Sequence, residues 1–340
     1  MIEQKPCYIL AIESSCDDTA AAVLKNDVVL SNSIANQSIH EAYGGVVPEL
    51  ASRAHQQNIV PVVDQAIKKA GISKEDLNAI AFTRGPGLLG SLLVGTSFAK
   101  SLSMGLSIPL IEVNHLQGHL LSHFIADGNP NPQFPFLGIT VSGGHTQIVK
   151  VTNHFTMEEI GRTQDDAIGE AFDKCGKVLG LGYPAGPHID RLAKEGNPTA
   201  FRFPIPKVDG LNVSYSGFKT AVINFLHKNK QNNEAFIEEN LADLCASIQY
   251  TLIEIIFTKI VKAVEQTGIK EIAIGGGVAA NSGLREKLKT TAIEKGWTVH
   301  IPPFAFTTDN AAMIGIVGYL KYQQESYARL DQAATARLPI

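Results

Sequence analysis

The sequence has little cysteine and no strong excess of charge of either sign. Its 340 residues include four cysteines, which lie far apart and form no CxxC pair. This spacing argues against a disulfide framework and a four-thiolate zinc site, and it favours a reducing compartment. With a net charge of −4, the protein as a whole is not basic. A nucleic acid would therefore have to bind a local patch of lysine and arginine, or the surface of a partner.

The sequence also lacks a targeting signal and a long uninterrupted hydrophobic run. Its first ten residues have neither the basic start nor the apolar core of a signal peptide. The most apolar long window, residues 86–105, is interrupted by several glycines and by Lys100, so it predicts a glycine-rich turn and a buried helix, not a membrane span. With 44% hydrophobic and 18% charged residues, the chain is long enough for two globular domains. We expect a cytoplasmic protein.

One supersecondary pattern occurs twice. Residues 8–24 and residues 136–151 each read as a buried strand, a small polar turn and a returning strand. Strands and helices alternate through the rest of the chain, which predicts an α/β protein. The repeated hairpin suggests a duplicated fold in which each half supplies one loop to a shared cleft.

Two histidines lie four residues apart in the stretch His115-Leu-Gln-Gly-His119. On a helix capped by Asn114, this spacing places both imidazoles on one face, where they can share a metal ion. A packed or surface pair of histidines is the more common meaning of this spacing taken alone. A zinc protease would need the pattern HExxH, whose glutamate activates water. No carboxylate stands between these histidines, which counts strongly against proteolysis.

Glycine-rich turns follow three predicted strands, at residues 85–90, 142–144 and 275–277. Such turns can bring backbone N–H groups close to a phosphate. The first turn lacks the GxxxxGK[ST] pattern of a P-loop, and close helix packing explains its glycines equally well. The turns alone therefore indicate generic anion sites.

Nine stretches, taken together and in order, resemble one family. The chain is similar to the TsaD family, a subunit of tRNA threonylcarbamoyladenosine synthase, from about residue 8 to about residue 322. The stretches that carry the resemblance are residues 12–19, 43–53, 85–90, 114–119, 141–146, 169–174, 183–187, 275–281 and 308–310. Asp18 stands where glutamate is common in the family, and Ala311 where glycine is common. Neither departure removes a ligand or a donor.

The resemblance implies a two-domain actin-like ATPase fold, as in the actin, sugar-kinase and Hsp70 superfamily, with duplicated mixed-sheet domains around a central cleft. We expect an N-terminal subdomain at 1–112, a C-terminal subdomain with the metal- and nucleotide-binding loops at 113–322, and a tail at 323–340. The implied reaction transfers a threonylcarbamoyl group from threonylcarbamoyl-AMP to the exocyclic amine of the adenosine next to the anticodon, in tRNAs that read ANN codons. The implied protein partners are TsaB-like and TsaE-like.

The family's site residues transfer onto this sequence one by one. The metal ligands fall on His115, His119 and Asp309. The set suits one divalent ion, with Fe²⁺ favoured and Zn²⁺ an alternative. The substrate contacts fall on Thr140, Val141, Ser142, Gly143, Gly144, Asp173, Gly186, Asp190 and Asn281. No residue is assigned as a general base.

Four of these positions also have an ordinary structural explanation. Asp309 and Asn281 could be helix caps, and Asp173 and Asp190 could pair with the lysines four residues further on, Lys177 and Lys194. Glu13 and Asp17 are interpreted as solvated acids of a turn and are not counted among the site residues. A kinase or a non-catalytic nucleotide switch of the same fold would also use the glycine turns. Either function would leave the two histidines without a task.

Overall fold

The computed structural model describes residues 6–340, apart from the side chain of Ser38. The expectation about a signal peptide concerns a start whose first five residues lie outside this range. The chain forms two compact units. The first contains the described residues up to Asn131 together with Pro302–Ile340, and the second contains Pro132–Ile301. These units differ from the predicted ranges 1–112, 113–322 and 323–340, because the helix with the histidine pair and the last helix both pack in the first unit.

The first unit is built on a five-stranded mixed sheet. Its strand order is β3-β2-β1-β4-β5. β1 pairs antiparallel with β2, and β2 with β3, whereas β1, β4 and β5 run parallel. The strands are β1 (Tyr8–Glu13), β2 (Thr19–Lys25), β3 (Val28–Ala35), β4 (Ala79–Gly85) and β5 (Leu110–Asn114). The predicted opening hairpin is therefore confirmed.

Four α-helices belong to the first unit: α1 (Pro48–Ala70), α2 (Leu89–Leu106), α3 (His115–Leu121) and α10 (Ala311–Gln323). Short 3₁₀ helices span Ser38–Tyr43, Lys74–Asp76, Ser122–Phe124 and Phe304–Phe306. α1 begins with proline at its first position and ends at Gly71 in the left-handed conformation, which are the favoured residues at these two ends. α10 packs against β1 and β2. It can pack closely because Gly315 has no Cβ, and a Cβ at this position would overlap with Leu24.

The second unit repeats the same strand pattern. Its sheet order is β10-β9-β6-β7-β8, with antiparallel pairing of β6 to β7 and of β7 to β8, and parallel pairing of β6, β9 and β10. The strands are β6 (Phe136–Val141), β7 (Thr146–Asn153), β8 (Thr156–Arg162), β9 (Glu271–Gly275) and β10 (Thr298–His300). A hairpin, a third antiparallel strand and two parallel strands thus occur in each unit. The predicted duplication is confirmed.

The helices of the second unit are α4 (Ile168–Val178), α5 (Ala185–Ala193), α6 (Ser216–Asn232), α7 (Phe236–Glu239), α8 (Leu241–Thr267) and α9 (Ser282–Lys295), with a 3₁₀ turn at Gly277–Ala280. α8 is long and apolar enough to cross a membrane, yet 72% of its most apolar window is buried inside the unit. Burial of this kind is expected of a core helix, and most of the buried apolar residues of α8 do lie in the hydrophobic core.

Candidate metal centre and substrate loops

The histidine pair lies on α3, a seven-residue helix that begins directly after β5. Asn114 caps α3, as predicted, because its Oδ1 accepts a hydrogen bond from the N–H of Leu116 at 2.9 Å. Gly118 allows the close approach of α10, since a Cβ there would lie 3.1 Å from Cδ1 of Ile314. Leu116 is buried as well, so it and Gly118 both serve packing.

Asp309 faces both histidines. Its Oδ1 lies 3.4 Å from Nε2 of His115 and 3.2 Å from Nε2 of His119. The alternative that Asp309 caps the following helix is wrong, because Asn310 takes that role by accepting from the N–H of Met313 at 3.0 Å. One potential ligand atom from each of the three residues lies within 4.8 Å of the others. We call His115, His119 and Asp309 the metal group.

The chemistry of the metal group fits a metal ion. Both ring nitrogens of His119 are buried, and neither forms a hydrogen bond with correct geometry, although Nε2 lies close to Asp309. A buried polar atom without a partner costs about 1–3 kcal/mol. Two imidazole nitrogens and one carboxylate oxygen are a common donor set for a divalent ion with open positions. An ion at this place would satisfy Nε2, one of the two nitrogens of His119 without a hydrogen bond.

Glu13 supports the metal group from behind, and the interpretation of Glu13 as a solvated acid is wrong. Its side chain is fully buried at the end of β1. Oε2 accepts hydrogen bonds from Nδ1 of His115 at 3.0 Å and from Oγ1 of Thr83 at 2.7 Å, and Oε1 accepts from the N–H of Ser15 at 2.5 Å. A carboxylate on Nδ1 fixes the tautomer of a ligating histidine and leaves Nε2 for the metal.

The charges of the metal group shift one another's pKa values. Burial opposes the charged form of each group, but Asp309 and Glu13 outweigh it and raise the pKa of His115 well above its usual value. The same attraction from His115 outweighs burial and lowers the pKa of Asp309 well below its ordinary value. For His119 burial dominates, and its pKa is lowered. His119 is therefore held in the neutral form that binds metals.

The predicted substrate residues all lie in the second unit. The β6–β7 turn carries Ser142, Gly143 and Gly144, and both glycines are exposed and have open space where a side chain would lie. The turn is fixed by a hydrogen bond from the N–H of Ser142 to the carbonyl of His145 at 2.8 Å. The side chain of Val141 is buried in the core, so only its backbone can reach a ligand. Oγ1 of Thr140 is buried without a hydrogen-bond partner.

The other predicted substrate residues hold loop and helix ends together. Oδ1 of Asp173 accepts from the N–H of Ala185 at 2.7 Å, and Gly186 donates to the same carboxylate. Asp190 accepts from the N–H and the hydroxyl of Ser282, at 3.1 and 2.7 Å. These contacts, and not the pairs with Lys177 and Lys194, are the ones found among the described residues.

Asn281 is a helix cap, as the alternative explanation of this residue proposed. Its Oδ1 caps α9 by accepting from the N–H of Leu284 at 2.9 Å. Its Nδ2 donates to Oε1 of Gln249 at 2.7 Å. The cap leaves open a contact with substrate through the remaining lone pair of Oδ1.

Comparison with known proteins identifies the family. The sequence profile of TsaD, described as tRNA N6-adenosine threonylcarbamoyltransferase, matches residues 28–316. The chain belongs to the TsaD family. Relatives named tRNA N6-adenosine threonylcarbamoyltransferase include a protein of Christiangramia forsetii, 64% identical over 338 residues and 99% of each chain. Another, from Riemerella anatipestifer, is 59% identical over 334 residues and 98% of each chain.

Solved structures confirm the predicted fold class of this TsaD chain. Full-length HypF, crystallised in a phosphate- and nucleotide-bound form, is similar over 95% of this chain and 47% of its own, with a TM-score of 0.62 and 13% identity. Component A of (R)-2-hydroxyglutaryl-CoA dehydratase from Acidaminococcus fermentans is similar over 94% of this chain and 99% of its own, with a TM-score of 0.54 and 17% identity. Both have actin-like ATPase-type folds, and identities this low carry the fold alone.

Proposed function

We propose that this TsaD-family chain transfers the threonylcarbamoyl group of threonylcarbamoyl-AMP to the exocyclic amine of the adenosine next to the anticodon in tRNAs that read ANN codons. The family membership supports the reaction class. The observation that carries the proposal within the structure is the metal group, with the buried and unpaired Nε2 of His119 facing Asp309. The tRNA substrate and the four free cysteines support a cytoplasmic location.

The reaction forms a bond between N6 of adenosine and the carbamoyl carbon and breaks the bond from that carbon to the phosphate oxygen of AMP. AMP leaves, and N6 loses one proton. An exocyclic amine is a poor nucleophile, so positioning and polarisation of the carbonyl provide much of the acceleration. When bound to His115, His119 and Asp309, a divalent ion supplies Lewis-acid polarisation and a template for the substrate.

The chain's own residues supply the binding surfaces of the proposed reaction. The exposed glycines at 143 and 144 allow a phosphate or ribose to approach the backbone closely. Asp173 and Asp190 fix the first turn of α5 and the start of α9, which keeps Gly186 and Asn281 in place. Glu13 is engaged by Thr83, Ser15 and His115, which argues against its use as the water-activating base of a protease.

We propose Fe²⁺ as the favoured ion, with Zn²⁺ as the alternative. Two histidines and one carboxylate with open positions suit non-haem Fe²⁺, and zinc accepts the same donors. Elemental analysis of protein purified without oxygen distinguishes the two ions. A protein that carries neither ion in stoichiometric amount would contradict the proposed metal role.

The test of the activity is reconstitution. Purified protein, with TsaB-like and TsaE-like partners, a source of threonylcarbamoyl-AMP and unmodified tRNA, should yield threonylcarbamoyladenosine on nucleoside mass spectrometry. His119→Ala should lose the metal and the product. His227→Ala is the matched control, because His227 is exposed on α6 in the second unit. Full metal content and full product with His119→Ala would contradict the proposal.

A further inference from the structure

The segment after α10 runs along the first unit and reaches the cap of α3. Its path is marked by hydrogen bonds to the ends of β4 and β5 and to a lysine of α2. The N–H of Ala328 donates to the carbonyl of Leu110 at 2.7 Å, and Nζ of Lys100 donates to the carbonyl of Gln332 at 2.6 Å. Beyond this point, residues 333–339 form what we call the strap.

The strap first contacts the turn after β4. Nε of Arg84 donates to the carbonyl of Ala333 at 3.0 Å, and the N–H of Thr335 donates to the carbonyl of Arg84 at 3.0 Å. A Cβ on Gly85 would overlap with the carbonyl of Thr335, so the two backbones lie in direct contact. The N–H of Gly87 donates to the carbonyl of Ala336 at 3.2 Å. The strap therefore packs against the whole turn.

The same turn contacts the residues that orient His115. The N–H of Leu88 donates to the carbonyl of Ser15 at 2.7 Å, and a Cβ on Gly87 would overlap with Ser15. Oγ of Ser15 in turn lies 3.1 Å from Nδ1 of His115. One chain of contacts thus connects the strap to the metal group, through the turn after β4 and Ser15.

Asn114 makes the second and more direct connection. Its Oδ1 caps α3, while its Nδ2 donates to the carbonyl of Pro339 at 2.9 Å and to that of Leu338 at 3.4 Å. The side chain of Asn114 is buried. A single amide therefore joins the first turn of the helix with the histidines to the end of the strap.

We propose that the strap positions the metal group, and that Asn114 is the positioning residue through which it acts. Only Ala334 of the strap is buried, so hydrogen bonds and not apolar contacts hold it. Segments held in this way open at a lower free-energy cost than the core. An attached strap keeps α3 in the geometry that binds the ion, and a detached strap loosens α3. The proposal rests on the proposed metal role of His115, His119 and Asp309.

Two variants of the full chain separate the strap from the cap. Asn114→Ser keeps an oxygen that can cap α3 but removes the donor to the strap. A chain that stops after Gln332 removes the strap and keeps the cap. We expect each to raise the Kd for Zn²⁺, measured by competition with a chelating dye, by about tenfold, since loss of outer contacts has effects of this size. Asn229→Ser is the matched control, because its Nδ2 also donates to a carbonyl but lies on α6 of the second unit.

The combined variant tests whether the two changes act as one. If Asn114 transmits the effect, Asn114→Ser in the shortened chain should weaken zinc binding no further than shortening alone. A synthetic peptide of residues 333–340 should restore zinc affinity to the shortened chain but not to the combined variant. Wild-type zinc affinity in the folded shortened chain, or fully additive losses, would overturn the proposal.

Hydrogen exchange of metal-free protein provides a readout that does not depend on the ion. The amides of α3 should exchange faster in the shortened chain than in the full chain, while those of α8 should not change. If no variant binds zinc but α3 shows this difference, the strap is supported and the proposed metal role fails. Unchanged exchange of α3 would overturn the strap proposal whatever the ion does.

Discussion

At the scale of single residues, the metal group depends on a carboxylate that touches no ligand atom of the ion. Glu13 fixes Nδ1 of His115 and is itself held by Thr83 and Ser15. Every hydrogen-bonding partner of this carboxylate is a donor. The side chain must therefore stay ionised and must accept on both oxygens, and the pKa of Glu13 is lowered by His115 against the opposing effect of burial.

Glu13→Gln should therefore weaken metal binding. The amide would point an N–H₂ group at one of these donors, so that two donors face each other and one of them loses its hydrogen bond. The ring of His115 would then be less firmly held. We expect a 10- to 100-fold rise in the Kd for Zn²⁺, roughly the usual effect of losing an outer partner of a ligand. Glu271→Gln is the control, because Glu271 also pairs with a histidine, His300 at 2.6 Å, but lies on β9 of the second unit. Equal affinities for both variants would contradict this role.

Asp165 has a structural role that its place in the sequence does not reveal. It does not cap the helix that follows it, because α4 begins after Ala167 and has no side-chain cap. Asp165 instead accepts from the N–H of Tyr215 at 2.8 Å and from the hydroxyls of Ser214 and Ser216 at the start of α6. These hydrogen bonds outweigh its partial desolvation and lower its pKa to about 2.

The lowered pKa of Asp165 predicts how stability depends on pH. The folded value lies below the value of about 3.9 in an unfolded chain, so the contribution to stability is complete above about pH 5 and is lost as the pH falls through 2. We expect Asp165→Asn to lower the free energy of unfolding by about 1 kcal/mol at pH 7, since solvent screens this exposed side chain. Urea unfolding should show that the gap between wild type and variant narrows as the pH falls from about 5 to about 2. A gap that stays constant between pH 7 and pH 2 would contradict this origin.

At the scale of elements, close contacts of glycine shape the substrate loops. Gly169 lies in the first turn of α4, and its N–H donates to the carbonyl of Ser142 at 3.1 Å. A Cβ at this position would lie 2.8 Å from Cα of Gly143 and 2.8 Å from the carbonyl oxygen of Ser142. The start of α4 is therefore a rigid support for the β6–β7 turn.

Gly169→Ala should displace that turn while α4 remains helical. Alanine favours a helix, but its Cβ must push the backbone of residues 142–143 away. We expect KM for threonylcarbamoyl-AMP to rise by about tenfold, as 1.4 kcal/mol of lost binding would give. Gly217→Ala is the control, since it also lies in the first turn of a helix but has open space around it. Unchanged KM in Gly169→Ala would show that the turn does not contact the substrate.

The elements with a clear apolar pattern are the ones that the sequence predicts well. β1, β2, β6 and β9 are almost wholly buried, and all four are found where the pattern places them. β8 is missed because it is a mostly exposed edge strand whose side chains show no alternation of apolar and polar residues. The start of α5 at Ala185 is not recognisable in the sequence, because proline and glycine in its first turn look like a loop.

Candidate site residues are predictable to the extent that a motif shows them. The four-residue spacing of the histidine pair itself allows a shared metal ion. Asp309 and the substrate residues, in contrast, are predicted only by the family resemblance. The burial of Glu13 depends on the pairing of β1 with β4 and on Thr83 reaching across. No local pattern contains such a contact, because it joins residues that are distant in the sequence.

At the scale of the whole molecule, the metal group joins two parts of the chain that flank the second unit. His115 and His119 precede Pro132–Ile301, and Asp309 follows it, so the second unit is an insertion between members of the metal group. All three residues nevertheless belong to the first unit. The site therefore depends on the fold of the first unit, while the predicted substrate loops depend on the fold of the second.

This arrangement predicts that a metal ion stabilises the two units unequally. An ion that binds only the folded first unit stabilises it by about 2.7 kcal/mol when its free concentration is 100 times its Kd. Hydrogen exchange with and without Zn²⁺ should show slower exchange for the amides of β1, β4 and α3, and unchanged exchange for those of β6, β9 and α8. His119→Ala should abolish the difference. Equal protection of both units in wild type would mean that they unfold as one, and protection of the second unit alone would mean that zinc binds elsewhere.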